Sequence, residues 1–259
     1  MPLISLAMIV KNEEATLAHC LKSAKPLVDE MVIVDTGSTD KTIDIAREFG
    51  AQVHHFKWRD DFAAARNESL KYCKGDWVLI LDADEAIDPL DYKKIINACK
   101  NPRADAYQLI HRHYTQKMSG GIFGNSAKPN NTNYCEGKNL PYYADAQVAR
   151  LARMFKGLSY SSSIHETLEP SLLSQSRAIA GLDSVIHHYG KLFSDREEHK
   201  KQYYFTLARQ EAEKKPTDEW AQHNLMLPGW FALKRLFPDK KTYLMTNKLV
   251  DSTIVSHSV

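Results

Sequence analysis

Trp77-Val78-Leu79-Ile80-Leu81-Asp82-Ala83-Asp84-Glu85 is a run of five apolar residues followed at once by acids. Entered through Gly75 and unbroken by a polar residue, Trp77 to Leu81 reads as a strand covered on both faces, the pattern that parallel sheets demand. Upstream, Leu3 to Val10 is a nearly continuous apolar run interrupted only by Ser5. Met31 to Val34 and Gln52 to Phe56 are further strand candidates. The spacers between them read as helices. Leu17, Leu21 and Ala24 make a stripe that Pro26 stops, with Asn12 as its cap and Glu13 and Glu14 at its positive end. Ser38 or Thr39 caps a second helix that turns Ile43, Ala46 and Phe49 inward and ends at Gly50, and a third runs from about Asp61 to Cys73. The order is βαβαβαβ. It requires right-handed crossovers and a mainly parallel sheet with helices on both faces.

In such sheets ligands gather at the carboxyl ends of the strands, which directs attention to the residues after Val10, Val34 and Leu81. Those residues are Lys11-Asn12-Glu13-Glu14, Asp35-Thr36-Gly37-Ser38-Thr39-Asp40 and Asp82-Ala83-Asp84-Glu85. Helix capping accounts for Ser38, Thr39 and Glu14. It does not account for Asp82 and Asp84. Two aspartates at i and i+2 on an extended strand end point the same way and can share one hard cation, Mg²⁺ or Mn²⁺, with phosphate oxygens completing the shell. Arg66 lies four residues after Phe62 and four before Leu70, so a guanidinium sits on the stripe that faces the core. A charge there needs either an internal carboxylate or an anionic ligand.

The 259 residues are 43% hydrophobic and 25% charged with a formal net charge of +2, the profile of a soluble globular chain: one large domain with an appendage. The isoelectric point of 8.2 is too mild for a nucleic-acid partner. Cys20, Cys73, Cys99 and Cys135 are widely spaced and form no C-x-x-C pair, so they read as reduced thiols. The start Met1-Pro2-Leu3-Ile4-Ser5 has no basic leader, and no run approaches the roughly 18 apolar residues of a membrane span. The expected compartment is the cytoplasm. No G-x-G-x-x-G follows the first strand, and neither G-x-x-x-x-G-K-[ST] nor G-x-S-x-G occurs. This removes the usual grounds for a dinucleotide oxidoreductase, a P-loop hydrolase or an α/β-hydrolase.

Four motifs stand in a fixed order: Met8-Ile9-Val10-Lys11-Asn12-Glu13-Glu14, Val34-Asp35-Thr36-Gly37-Ser38-Thr39-Asp40, Asp61-Phe62-Ala63-Ala64-Ala65-Arg66-Asn67 and Leu81-Asp82-Ala83-Asp84-Glu85. In this respect the chain resembles family 2 glycosyltransferases, and within them the branch of lipopolysaccharide core glucosyltransferases and peptide S-glycosyltransferases. The resemblance implies a GT-A fold, a nucleotide-sugar donor, Mn²⁺ or Mg²⁺, and inversion at the anomeric carbon. It implies that Ile9, Asn12 and Glu13 border the nucleoside, that Asp35 accepts from the base, most readily uracil N3–H, and that Asp82 sits near ribose and metal. It further makes Asp84 a metal ligand and puts Arg66 and Asn67 near the diphosphate or bracing the acidic loops.

A fainter likeness continues through Arg150-Leu151-Ala152-Arg153, Ser163-Ile164-His165-Glu166-Thr167-Leu168 and Ile186-His187-His188-Tyr189-Gly190. It implies that Arg150 and Arg153 meet the diphosphate, that Glu166 is the base, and that His188, or less readily His165, completes the metal shell or touches a phosphate. Ser161-Ser162-Ser163 stands where that branch has a small, often glycine-containing turn.

The expected layout is a catalytic domain over 1–190, with a nucleotide-sugar half (1–100) and an acceptor half (101–190), then a helical extension and tail over 191–259. Between Ala106 and Tyr143 the chain is rich in Gly, Asn and aromatics and reads as a long insertion. Its Tyr142 and Tyr143 could stack on an acceptor sugar. The acceptor class is a glycan, a lipid-linked glycan or a peptide. Trp230, Phe231, Leu233 and Phe237 beside Lys234 and Arg235 make 227–237 a candidate membrane-surface segment, which would put the enzyme at the inner face of the membrane. Two other readings stay open: a sugar-phosphate nucleotidyltransferase and a non-catalytic binding module built on a transferase domain.

Overall fold

The computed structural model describes residues 2–118, 125–192, 197–218 and 221. Segment 227–237, the tail beyond it, and Gly120, Gly121 and Gly124 lie outside the described residues. The chain divides into two compact units between Glu197 and Glu198.

The expected alternation is present: β1 (Ile4–Val10), α1 (Leu17–Ala24), β2 (Glu30–Asp35), α2 (Thr42–Glu48), β3 (Gln52–His55), α3 (Phe62–Tyr72) and β4 (Trp77–Ile80). β1 is the centre of this half. It pairs in parallel with β2 on one edge and β4 on the other, so both edges and both faces are covered, which its apolar run requires. β4 shows the period of two directly. Trp77 and Leu79 enter the core beneath α1 and α2, while Val78 and Ile80 enter the core beneath α3. Gly75 lets β4 begin this close to β1, since a Cβ there would meet Ser5 N at 2.7 Å and Leu3 O at 2.9 Å.

After β4 come β5 (Glu85–Ile87), α4 (Pro89–Lys100), β6 (Ala106–Thr115), β7 (Lys128–Pro129), β8 (Tyr142–Arg153), α5 (Glu169–Leu173) and β9 (Ile179–His188). The sheet runs β3-β2-β1-β4-β8-β6-β9-β5, with β7 on β8. β8 pairs antiparallel with both β4 and β6, and β6 runs parallel to β9. The parallel half is thus extended by a mixed half across β8. The helix α6 (Glu197–Lys214), which from Glu198 on belongs to the second unit, carries the Arg209–Glu213 ion pair at 2.8 Å. No described helix is long and apolar enough to cross a membrane.

Two caps differ from the sequence reading. Asn12 does not cap α1; it takes a left-handed φ of 56°, a region asparagine tolerates, and its Oδ1 accepts from Thr39 N at 2.8 Å. Asp40, rather than Ser38 or Thr39, serves the start of α2, accepting from Thr42 N at 3.0 Å. Ser38 instead accepts from Asn12 N at 3.0 Å. The turns after β1 and β2 therefore bind each other. Asp61 does cap α3, accepting from Ala64 N at 2.8 Å.

Among its described residues, the aromatic insertion contributes Ala106–Thr115 to β6 and Lys128–Pro129 to β7. Tyr142 and Tyr143 belong to β8, and Tyr143 is buried with the Arg112 guanidinium 3.9 Å from its ring centre, so its face is already occupied. Asp88 Oδ2 accepts from the amides of Cys135 and Glu136, at 2.7 and 3.0 Å, and Tyr114 donates to Glu136 O at 3.0 Å.

Candidate active site

Asp82 and Asp84 follow β4 at the carboxyl edge of the parallel strands, but not on an extended end. Glu85 N donates to Asp82 O at 3.0 Å, closing a tight turn that sends the two carboxylates to different partners. Asp82 Oδ1 accepts from Arg66 Nη2 at 2.6 Å and Oδ2 from Arg150 Nη2 at 3.0 Å. Asp84 Oδ2 lies 3.5 Å from His188 Nε2. Asp82 is thus held between two guanidinium groups, and Asp84 faces an imidazole.

Arg66 reaches this place because α3 turns it, with Ala63 and Leu70, toward the sheet. Its Nε donates to Glu166 Oε1 in a short contact, so a single side chain links α3, the end of β4 and the 161–167 loop. Burial works against the Arg66 charge, yet Asp82 and Glu166 outweigh it and raise its pKa well above the ordinary value. Burial likewise opposes the Asp82 carboxylate, and Arg66 and Arg150 hold its pKa well below the usual range.

The loop that carries Glu166 is closed by reciprocal backbone bonds between Ser161 and Thr167, at 3.0 and 3.2 Å. Ser162 and His165 take left-handed φ values of 74° and 52°, so the serine stretch performs the turn for which glycine is suited. Asn67 clamps the base of the loop, accepting from Tyr160 N at 2.7 Å and donating to Tyr160 O at 2.9 Å.

Glu85, which the sequence reading passed over, is fully buried. Its Oε2 accepts from Asp82 N at 2.8 Å, and its Oε1 meets Arg150 Nη2 at 2.9 Å and His111 Nε2 at 2.5 Å. Beyond His111 stand His113 and His188. The only advance signal for His111 and His113 was their i, i+2 spacing in a strand-like run, which puts both side chains on one face. Cys20 on α1 donates to Asp82 O at 3.3 Å. Burial, then the charges of Glu85, Asp84 and Asp82, raise its thiol pKa well above the ordinary value.

Three carboxylates (Asp82, Glu85, Glu166) thus share two guanidinium groups (Arg66, Arg150), and a fourth, Asp84, faces His188. That excess of negative charge fits a divalent cation. So does the space before Asp84: a Cβ on Gly190 would stand 2.6 Å from Asp84 Oδ2 and 2.9 Å from His188 Nε2. His188 Nδ1 is buried and has no hydrogen-bond partner among the described residues. Burial opposes the charged form of His188, but Asp84 prevails and raises its pKa.

The other expected residues fall elsewhere. Asp35 is buried at the end of β2, where its carboxylate accepts from Gly37 N at 3.1 Å and Ser38 N at 3.0 Å, with His55 Nδ1 at 3.5 Å. β1 alone separates β2 from β4, so Asp35 and Asp82 share one sheet edge about 10 Å apart. Ile9 and Glu13 lie along β1 and its following turn, where Glu13 N donates to Thr42 Oγ1 at 2.7 Å. Arg153 is not part of the cluster. It pairs in register with Trp77 at the amino end of β4, and its side chain is exposed, so the antiparallel course of β8 brings Arg150 to the acids and carries Arg153 away.

The sequence profile of Glycosyl transferase family 2 matches residues 5–146, more than half of the chain. This chain belongs to that family. The matched residues of this family 2 member carry Asp35, Arg66, Asp82, Asp84, Glu85, His111 and His113, while Arg150, Glu166 and His188 follow them. A TPR repeat-containing protein of Synechococcus elongatus is 34% identical over 193 residues, covering 72% of this chain and 42% of that protein. The SPbeta prophage-derived glycosyltransferase SunS of Bacillus subtilis is 27% identical over 129 residues, 49% of this chain and 31% of that protein. The family 2 chain therefore spans less than half the length of either relative. Among solved structures, glucosyl-3-phosphoglycerate synthase from Mycobacterium tuberculosis, in complex with Mn²⁺, uridine diphosphate and glucosyl-3-phosphoglycerate, is 28% identical. It covers 42% of this chain and 44% of its own, at a TM-score of 0.38.

Proposed function

We propose that this chain is an inverting transferase that moves a sugar from a nucleotide-sugar donor, a UDP-sugar by preference, to an acceptor hydroxyl or thiol. The observation that carries the reading is the Asp84–His188 pair, 3.5 Å apart at the carboxyl edge of the parallel strands and flanked by the guanidinium groups on Asp82. Asp84 and His188 are the residues to hold Mn²⁺ or Mg²⁺, and Gly190 keeps the approach clear. The metal would supply charge stabilisation for the departing diphosphate. Asp35, about 10 Å from Asp82 along the same edge, suits the base end of the donor.

In a single displacement, the bond from acceptor oxygen to anomeric carbon forms as the bond to the diphosphate oxygen breaks, and the acceptor proton passes to Glu166. Arg66 orients that carboxylate through Oε1 while holding Asp82 on its other branch. The acceptor is a glycan, a lipid-linked glycan or a peptide, and segment 227–237 is the candidate contact with a membrane surface.

The test is the melting temperature of the full chain with uridine diphosphate, with and without Mn²⁺, alongside an assay of nucleotide released from a panel of donors. Mn²⁺ should enlarge the nucleotide-dependent rise, and Asp84→Asn should abolish the Mn²⁺-dependent part. No rise with any nucleoside diphosphate and cation would defeat the reading, and triphosphate consumption with pyrophosphate release would replace it with nucleotidyl transfer.

A further inference from the structure

Two buried histidines that the proposed transfer does not use, His111 and His113, stand against His188. They are residues i and i+2 of β6, and His113 is the register partner of His188 on β9, itself paired with Glu85 on β5. The ring centroids are 4.2 Å apart for His111 and His113, 4.4 Å for His113 and His188, and 5.0 Å for His111 and His188. One ligand nitrogen from each lies within 4.8 Å of the others.

Glu85 decides how His111 presents itself. Its carboxylate only accepts, so His111 Nε2 carries the proton and Nδ1 offers a lone pair, directed at His113 Nε2 2.9 Å away. A tetrahedral Zn²⁺ with nitrogens at ~2.1 Å needs them about 3.4 Å from each other; binding breaks the His111–His113 hydrogen bond, moves the His113 proton from Nε2 to Nδ1 and parts the two nitrogens by about 0.5 Å. One His188 ring nitrogen lies within 4.8 Å of the other two and has to close by up to about 1.4 Å to complete the set. A carboxylate behind a ligating imidazole fixes its tautomer and raises its basicity.

We propose that His111, His113 and His188 form a site for a divalent ion that prefers nitrogen ligands, Zn²⁺ or Co²⁺, with Glu85 as the positioning carboxylate behind His111. Mg²⁺, which demands oxygen ligands, is excluded from it. The site shares His188 with the donor-metal reading but does not depend on it, because it requires no nucleotide.

The test is titration of the metal-free full chain with Co²⁺ in the absence of nucleotide, read by visible d–d absorption. One Co²⁺ per chain should give intense bands typical of nitrogen ligation at low coordination number, Zn²⁺ should bleach them stoichiometrically, and Mg²⁺ in large excess should leave them intact. Glu85→Gln should keep the bands but weaken Co²⁺ binding by ~10-fold or more. His111→Ala and His113→Asn should lose them, with far-ultraviolet circular dichroism in EDTA showing that each variant folds. Weak octahedral bands, displacement by Mg²⁺, or unaltered Co²⁺ affinity in the folded histidine variants would overturn the proposal. The first two need no variant, and each leaves the nucleotide-dependent melting shift free to succeed or fail on its own.

Discussion

Arg66 joins Asp82 to Glu166: one guanidinium on α3 lies 2.6 Å from the acid after β4 and also donates, through Nε, to the carboxylate of the 161–167 loop. These partners lie 16 and 100 residues away in sequence, so a local helix position closes two long-range contacts at once. Breaking a buried ion pair from one side leaves uncompensated charge. Arg66→Ala should therefore cost about 3 kcal/mol in urea unfolding. A loss under a quarter of that would mean the pairing contributes little to folding.

The same pairing gives Asp82 a signed pH dependence. A carboxylate whose folded pKa is depressed contributes stability above its unfolded pKa and loses it as pH falls through the folded one. Asp82 therefore contributes fully at neutral pH and progressively less below about pH 4, where the unfolded chain takes up its proton. Unfolding curves across that range should be flatter for Asp82→Asn than for the parent chain; equal slopes would show that other acids set the acid limit.

Gly190 tests the geometry at Asp84. A Cβ there would stand 2.6 Å from the Asp84 carboxylate and 2.9 Å from the His188 ring, so Gly190→Ala must push one of them aside. The fold should survive, while Mn²⁺ affinity, read by electron paramagnetic resonance of free ion, should fall by ~10-fold or more, as when outer contacts of metal ligands are disturbed.

Ser162 pays a backbone cost at φ 74° that glycine would not. Ser162→Gly should leave stability unchanged or raise it by up to ~1 kcal/mol, because relief of left-handed strain opposes the larger entropy of an unfolded glycine. Clear destabilisation by chemical denaturation would point to a side-chain role for Ser162.

Glu166→Gln keeps the shape of the loop residue but removes its capacity to take a proton. As the acceptor's base, Glu166 should show a fall in turnover of ~10²-fold or more with the nucleotide dissociation constant changed only a few-fold. Parallel loss of both would mark Glu166 as a brace for Arg66 instead of the base.

The amino-acid order by itself determined the parallel half of the sheet and the edge where the acids collect. These depend on short-range physics: apolar runs at Ile4–Val10 and Trp77–Ile80, the stripe of α1 and the Asp61 cap are complete within a few residues of each other. It also singled out Arg66 as a charge in need of a partner, since helical periodicity alone turns it inward. The partner itself was decided only in three dimensions. β8 inserts between β4 and β6 and runs antiparallel, which is why Arg150 reaches Asp82 while Arg153, three residues on, reaches the opposite end of β4. The turn that separates Asp82 from Asp84 and the meeting of His111, His113 and His188 depend on strand neighbours from distant parts of the chain. A side chain's periodicity says which face it occupies, but its charge partner is whatever the folded sheet brings alongside.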